Sequence, residues 1–164
     1  MAILSQSMVI YEEEFERISS ILARLWVDAN AKIVFLVDKN GQQLAAKGDL
    51  DKVDTTSLAS LTAGNVAATD GLARLIGEKE FSILFHEGER DNIHISIVGQ
   101  RLILVVIFDE RSSLGLVRLR VRKAAAELEE VLSQMADKAA QRGDEVVSPF
   151  AEITDEDIDN LFSE

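Results

Sequence analysis

Between Tyr11 and Asn30 the apolar positions recur in steps of three and four. Phe15, Ile18, Ile21, Leu22, Leu25 and Trp26 form one stripe, which predicts a first helix over 11–30. Glu12, Glu13 and Glu14 open it, where negative charge meets the positive end of the helix dipole. The period then changes. KIVFLVD (32–38) is apolar at nearly every position, as expected of a strand covered on both faces. Asn40-Gly41 follows and suggests a type I′ turn into a second strand at 42–47.

From 57 to 78 the chain reads SLASLTAGNVAATDGLARLIGE, long enough for six turns of helix. Asp54, Thr55 and Thr56 offer N-caps, and Gly77 suits the C-terminal end. Three strand candidates come next, at 80–87, 91–98 and 101–108, with Gly88 and Gly99 in the breaks. Ile93, Ile95 and Ile97 alternate with Asn92, His94 and Ser96, which reads as a half-exposed strand. RLILVVIF (101–108) does not alternate and should be central.

Segment 114–142 carries two competing periods. Val117, Leu119 and Val121 alternate with arginines, as in a strand. Leu114, Val117, Val121, Ala124, Leu128, Val131 and Met135 repeat at helical spacing over a longer window. The longer pattern predicts a helix over about 114–140. The element order is α-β-β-α-β-β-β-α, an α+β domain whose antiparallel sheet carries helices on its faces.

Composition narrows the function classes. The chain has 164 residues and no cysteine, so disulfides, thiolate metal sites and cysteine nucleophiles are excluded. The longest apolar runs are too short to cross a bilayer, and the N-terminus lacks the basic start of a signal peptide. A cytoplasmic setting is the expectation. The formal net charge of −12 argues against a surface that tracks nucleic-acid phosphates. The charge is uneven: 143–164 holds eight acids and no base. The reading is therefore a folded domain over 1–142 and an acidic tail over 143–164.

No catalytic constellation emerges. His86 and His94 lie in neighbouring strand candidates and match no metal-ligand spacing, so they read as half-exposed strand residues. Ser57, Ser60, Ser112 and Ser113 lack a nucleophile-elbow context, and no phosphate loop is present. No metal or cofactor is expected. Arg118, Arg120, Arg122 and Lys123 form the one basic cluster, read as a solvated helical surface.

Two segments carry the functional expectation. In the tail, Pro149 breaks any preceding helix and Thr154 can cap a short new one. Ile158, Leu161 and Phe162 then form one apolar edge among acids. Such a segment is either a solubilising terminus or a recognition helix that folds on a partner's groove. In the second helix, Gly64 and Gly71 each cost roughly 1 kcal/mol relative to alanine. Ser60, Gly64, Ala67, Ala68 and Gly71 make a stripe without bulk, while Leu58, Leu61, Val66, Leu72, Leu75 and Ile76 should anchor the helix on the sheet. A bulk-free stripe facing outward lets another backbone approach closely.

The residues also carry a resemblance. YEEEF (11–15), DANAKIVFLVDKNGQ (28–42), DTTSLASLTAGNVAA (54–68), GLARLIGE (71–78), FHEG (85–88), LVVIFDERSSLGLVRLR (104–120) and PFAEITDEDIDNLFSE (149–164) resemble the MglB-type Roadblock family. These are dynein-light-chain-like regulators of Ras-like GTPases. The resemblance implies a five-stranded antiparallel sheet between helices, and a homodimer formed through 55–77 and 80–87. It implies that two copies bind one small GTPase of the MglA type through the paired second helices and accelerate its GTP hydrolysis. The GTPase supplies its own arginine and glutamine, so no arginine finger is expected from Arg74 or Arg118. The contact stripe maps to Ala63, Gly64, Ala67, Ala68, Gly71 and Arg74, with Ile158, Leu161 and Phe162 as a second contact. The family acts in cell polarity and gliding motility, concentrated at one cell pole. The alternative is a scaffold that recruits a GTPase or polarity landmark without changing hydrolysis.

Overall fold

The computed structural model describes residues 3–5 and 8–142, and the expectations for the tail, including Thr154, Ile158, Leu161 and Phe162, lie outside the described residues. Two short strands come first, β1 (Ile3–Ser5) and β2 (Met8–Ile10), paired antiparallel in a sheet of their own. Helix α1 (Glu12–Asp28) follows, then β3 (Ile33–Asp38) and β4 (Gln43–Gly48). A single 3-10 turn, Leu50–Lys52, leads to α2 (Thr55–Leu75). Strands β5 (Ile83–Glu87), β6 (Asn92–Val98) and β7 (Leu102–Phe108) precede α3 (Leu114–Arg142). The chain divides into two compact units, Met1–Leu132 and Ser133–Glu164, with the division inside α3.

The main sheet runs β4-β3-β7-β6-β5, antiparallel throughout, so β4 and β5 are its edges and β7 is central. Every residue of β3 and of β7 is buried, which is why neither alternates in sequence. On one face Ile33, Phe35, Val37, Ile95, Ile103, Val105 and Ile107 pack against Ala59, Ala63 and Val66 of α2. Helices α1 and α3 cover the opposite face. There α3 buries Val117, Val121, Ala124, Leu128 and Val131, the helical stripe that wins over the strand-like alternation.

The β3–β4 connection differs from the expected type I′ turn. Gly41 has φ +89°, but Asn40 stays in the negative-φ region. The Asp38 carboxylate accepts hydrogen bonds from the backbone N–H groups of Asn40 and Gln42, both at 2.9 Å. Gly41 N–H donates to the Asp38 carbonyl at 3.1 Å. The carboxylate holds the turn one residue earlier, and Gly41 supplies the left-handed residue that follows a type I turn.

Candidate functional site

Helix α2 begins where Asp54 caps it. Its carboxylate accepts from the Ser57 backbone N–H (3.1 Å) and hydroxyl (2.6 Å), bonds that hold its pKa below the ordinary aspartate value, the hydroxyl bond contributing most. The helix ends in a Schellman motif. Gly77, at φ +82°, donates to the Arg74 carbonyl, and the Glu78 N–H reaches back to that of Ala73 at 2.8 Å. Both termini are thus fixed by local chemistry, and the helix axis is set before any partner is considered.

The sheet-facing side of α2 is small rather than bulky. Ala59, Thr62, Ala63, Val66 and Ala73 are its buried residues. This lets the helix lie close to the sheet: a Cβ added at Gly41 would stand 3.2 Å from the Ser60 backbone. The expectation that the leucines anchor the helix is therefore corrected. Leu58 and Val66 do pack inward. Leu61, Leu72, Leu75 and Ile76 are 73%, 57%, 84% and 68% exposed. With alanines filling the narrow inner space, the longer side chains are left to the outside.

The bulk-free stripe does face outward. Ser60, Gly64, Ala67, Ala68, Gly71 and Arg74 are all exposed, and a Cβ built at Gly64 or Gly71 meets nothing within 4 Å. Ala63 is the exception. It is 8% exposed and belongs to the core under the helix, so the structure removes it from the outer stripe. The outer face of α2 is thus a row of small residues flanked by exposed leucines.

Helical spacing sets Leu61, Asn65, Ala68 and Leu72 along one flank. Asn65 Nδ2 lies within hydrogen-bond distance of His86 Nε2, at 2.9 Å. It ties the flank of α2 to edge strand β5, where His86 itself is exposed on the α2 face. The surface therefore runs from α2 onto the open edge of the sheet. Sequence reading misses Asn65 and the outward leucines. The signal available is the spacing of Leu61, Asn65, Ala68 and Leu72, which sets them on one face.

The two histidines do not meet. His86 pairs in register with Ile93 on the α2 face, whereas His94 pairs with Phe85 and Val106 on the opposite face. His94 is 1% exposed, which corrects the half-exposed reading. Burial holds its pKa below the ordinary histidine value, and nearby Arg118 adds to the shift. Among the described residues no group of three or more His, Cys, Asp or Glu is arranged to hold a metal ion.

The basic cluster sits on α3, with Arg118, Arg122 and Lys123 exposed. Arg120 is partly covered in a cleft between α1 and α3 that Arg24, Lys123 and Glu127 also line. Arg24 pairs with Glu127 at 3.2 Å. Among the described residues no helix is long and apolar enough to cross a membrane.

Residues 18–108 match the family model of the Roadblock/LC7 domain. No curated protein matches the sequence. Among solved structures, Myxococcus xanthus MglB is 59% identical, with a TM-score of 0.75 over 78% of this chain and 96% of that one. The gliding protein MglB of Thermus thermophilus is 34% identical, with a TM-score of 0.75 over 80% and 99%. A Roadblock/LC7 domain from Streptomyces avermitilis, 14% identical with a TM-score of 0.63 over 70% and 97%, shares the fold. The sheet order, the helix on each face and these matches lead to one conclusion: the chain belongs to the Roadblock family and is closely similar to its MglB members.

Proposed function

We propose that this protein is a GTPase activator that works as a homodimer. Two copies hold one small Ras-like GTPase of the MglA type against their paired α2 helices. The observation that supports this reading is the outer face of α2, where Gly64 and Gly71 open onto empty space between exposed leucines. A protomer that weakens its own helix there gains nothing alone. A partner's backbone can come close along the row and recover dispersion contacts over several turns. The relatives include an MglB described as having a tetrameric arrangement, which fits a chain that assembles with copies of itself.

The mechanism is conformational. Ras-like enzymes hydrolyse GTP slowly because the attacking water and the transition-state charge are poorly organised, and a supplied arginine is worth about 10³–10⁵ in rate. Here the GTPase uses its own arginine and glutamine, and the dimer holds the switch segments where those groups act. This requires a rigid, closely fitting platform. The caps at both ends of α2 supply that rigidity. Edge strand β5 joins the dimer contact, and Arg74 takes part in docking without entering the nucleotide site. In the tail, Ile158, Leu161 and Phe162 form a second GTPase contact away from the nucleotide. The setting is cell polarity and gliding motility, with the protein in the cytoplasm and concentrated at one pole.

A scaffold that binds the GTPase without altering hydrolysis would use the same surface. Single-turnover GTP hydrolysis by the GTPase, with and without this protein, separates the two. Acceleration supports activation, and binding with an unchanged rate supports the scaffold.

A further inference from the structure

The layer between α3 and the sheet contains a polar seam. His94 and Ser96 point into it from β6, two residues apart on the same face. His94 is 1% exposed and Ser96 5%, and His94 Nδ1, His94 Nε2 and Ser96 Oγ have no hydrogen-bond partner among the described residues. Their register neighbours are apolar: Phe85 and Val106 beside His94, Ile83 and Leu104 beside Ser96. The Phe85 ring stacks near Phe108 with centroids 6.2 Å apart, closing one side of the seam. A neutral imidazole can stay in such a place. A charged one has no acceptor there and loses its hydration.

The charged groups around the seam do not help a proton to bind. From α3, Arg118 is near enough to oppose a positive charge on the ring, and Arg122 follows one turn later on the solvent side. From β5, Glu87 is the acid on the same face, but it is exposed and pairs with Asn92 rather than with His94. The neighbours on β7, Val106 and Phe108, carry no charge. The seam also lies close to solvent. On the β7 side Leu104 and Val106 are fully buried, whereas Ile83 on β5 is 52% exposed. Solvent therefore reaches the edge-strand side of the seam at Ile83, the register partner of Ser96.

We propose that His94 is a proton-operated latch. As an uncharged ring it lets α3 stay seated over β6, and taking up a proton from solvent on its free nitrogen opens that end of the layer. The opened form exposes the imidazole to water under β5, so mild acid favours it. The inference concerns the protein's own packing and does not depend on the GTPase reading. Its consequence would reach the edge strand first, because β5 has only β6 beside it in the sheet.

The sign follows from linkage. The folded ring protonates less readily than the free one, so the opened state binds more protons once pH falls below the ordinary histidine value. Above that pH the opened fraction stays at its pH-independent minimum. Below it, the opened fraction rises about tenfold per pH unit until the folded pKa is reached. The test is hydrogen exchange of the backbone amides from about pH 7.5 to 5, the range that brackets histidine titration, corrected for intrinsic rates. It is run beside an NMR titration of the two imidazoles assigned with His86→Gln. The expected result is faster exchange in Ile83–Glu87 and the first half of α3, in step with protonation of His94. His94→Phe should remove the pH dependence, and His94→Gln, polar but unable to take up a proton in this range, should do the same if the first variant does not fold. Unchanged pH dependence in a folded variant would overturn the proposal. So would protonation of the wild-type His94 without any change in exchange.

Discussion

For single residues, identity and direction are legible in the sequence to different degrees. Asp54 is one of three cap candidates, and the structure selects it through Ser57. His94 is misread from sequence because its strand alternates Ile93, Ile95 and Ile97 with polar residues. Alternation implies a wet face only when one face of the sheet is bare, and here α3 covers the second. Leu61, Leu72 and Leu75 are misread by a related rule, that bulk packs inward. Alanines take the inner side instead, because α2 lies close to the sheet. Arg74 sits on the outer face beside Gly71. If it docks rather than catalyses, Arg74→Ala should weaken GTPase binding several-fold and leave the saturated hydrolysis rate close to that of wild type. A drop of about 10³ or more at saturation would make it a finger, on the scale known for such arginines.

Among the elements, long periodic segments are readable and short ones are not. The 114–142 segment resolves as a helix because its buried residues follow helical spacing, against a brief alternation. The β1–β2 pair escapes sequence reading, since three-residue strands leave no period to detect. Strand β5 begins at Ile83 rather than at 80. For α2 the central question is why its exposed face keeps two glycines. A Cβ at either position meets no atom of its own protomer. Gly64→Ala and Gly71→Ala should therefore each raise protomer stability by about 1 kcal/mol, measured by denaturant unfolding. The same substitutions should weaken assembly or GTPase binding, read by calorimetry. Variants that gain stability and bind as well as wild type would show that close approach is not why the glycines are there.

Over the molecule as a whole, the architecture is a sheet with α2 on one face and α1 and α3 on the other, as the family resemblance implies. The outer side of α2 and the edge of β5 form a continuous surface that one protomer leaves open. The proposed dimer contact through that surface needs nothing from the tail. Removing 148–164 should leave the oligomeric state unchanged by light scattering, and a monomer would tie the tail to the dimer contact. The proposed function rests on the bulk-free face of α2 being where a Ras-like GTPase is held in working shape. The decisive quantity is the initial rate of GTP hydrolysis by an MglA-type GTPase against rising amounts of wild type and of Ala67→Arg, both folded by circular dichroism. Saturable acceleration by wild type and none by the variant is the expected outcome. Equal acceleration by both, or none by wild type, would show that this face does not do the work assigned to it.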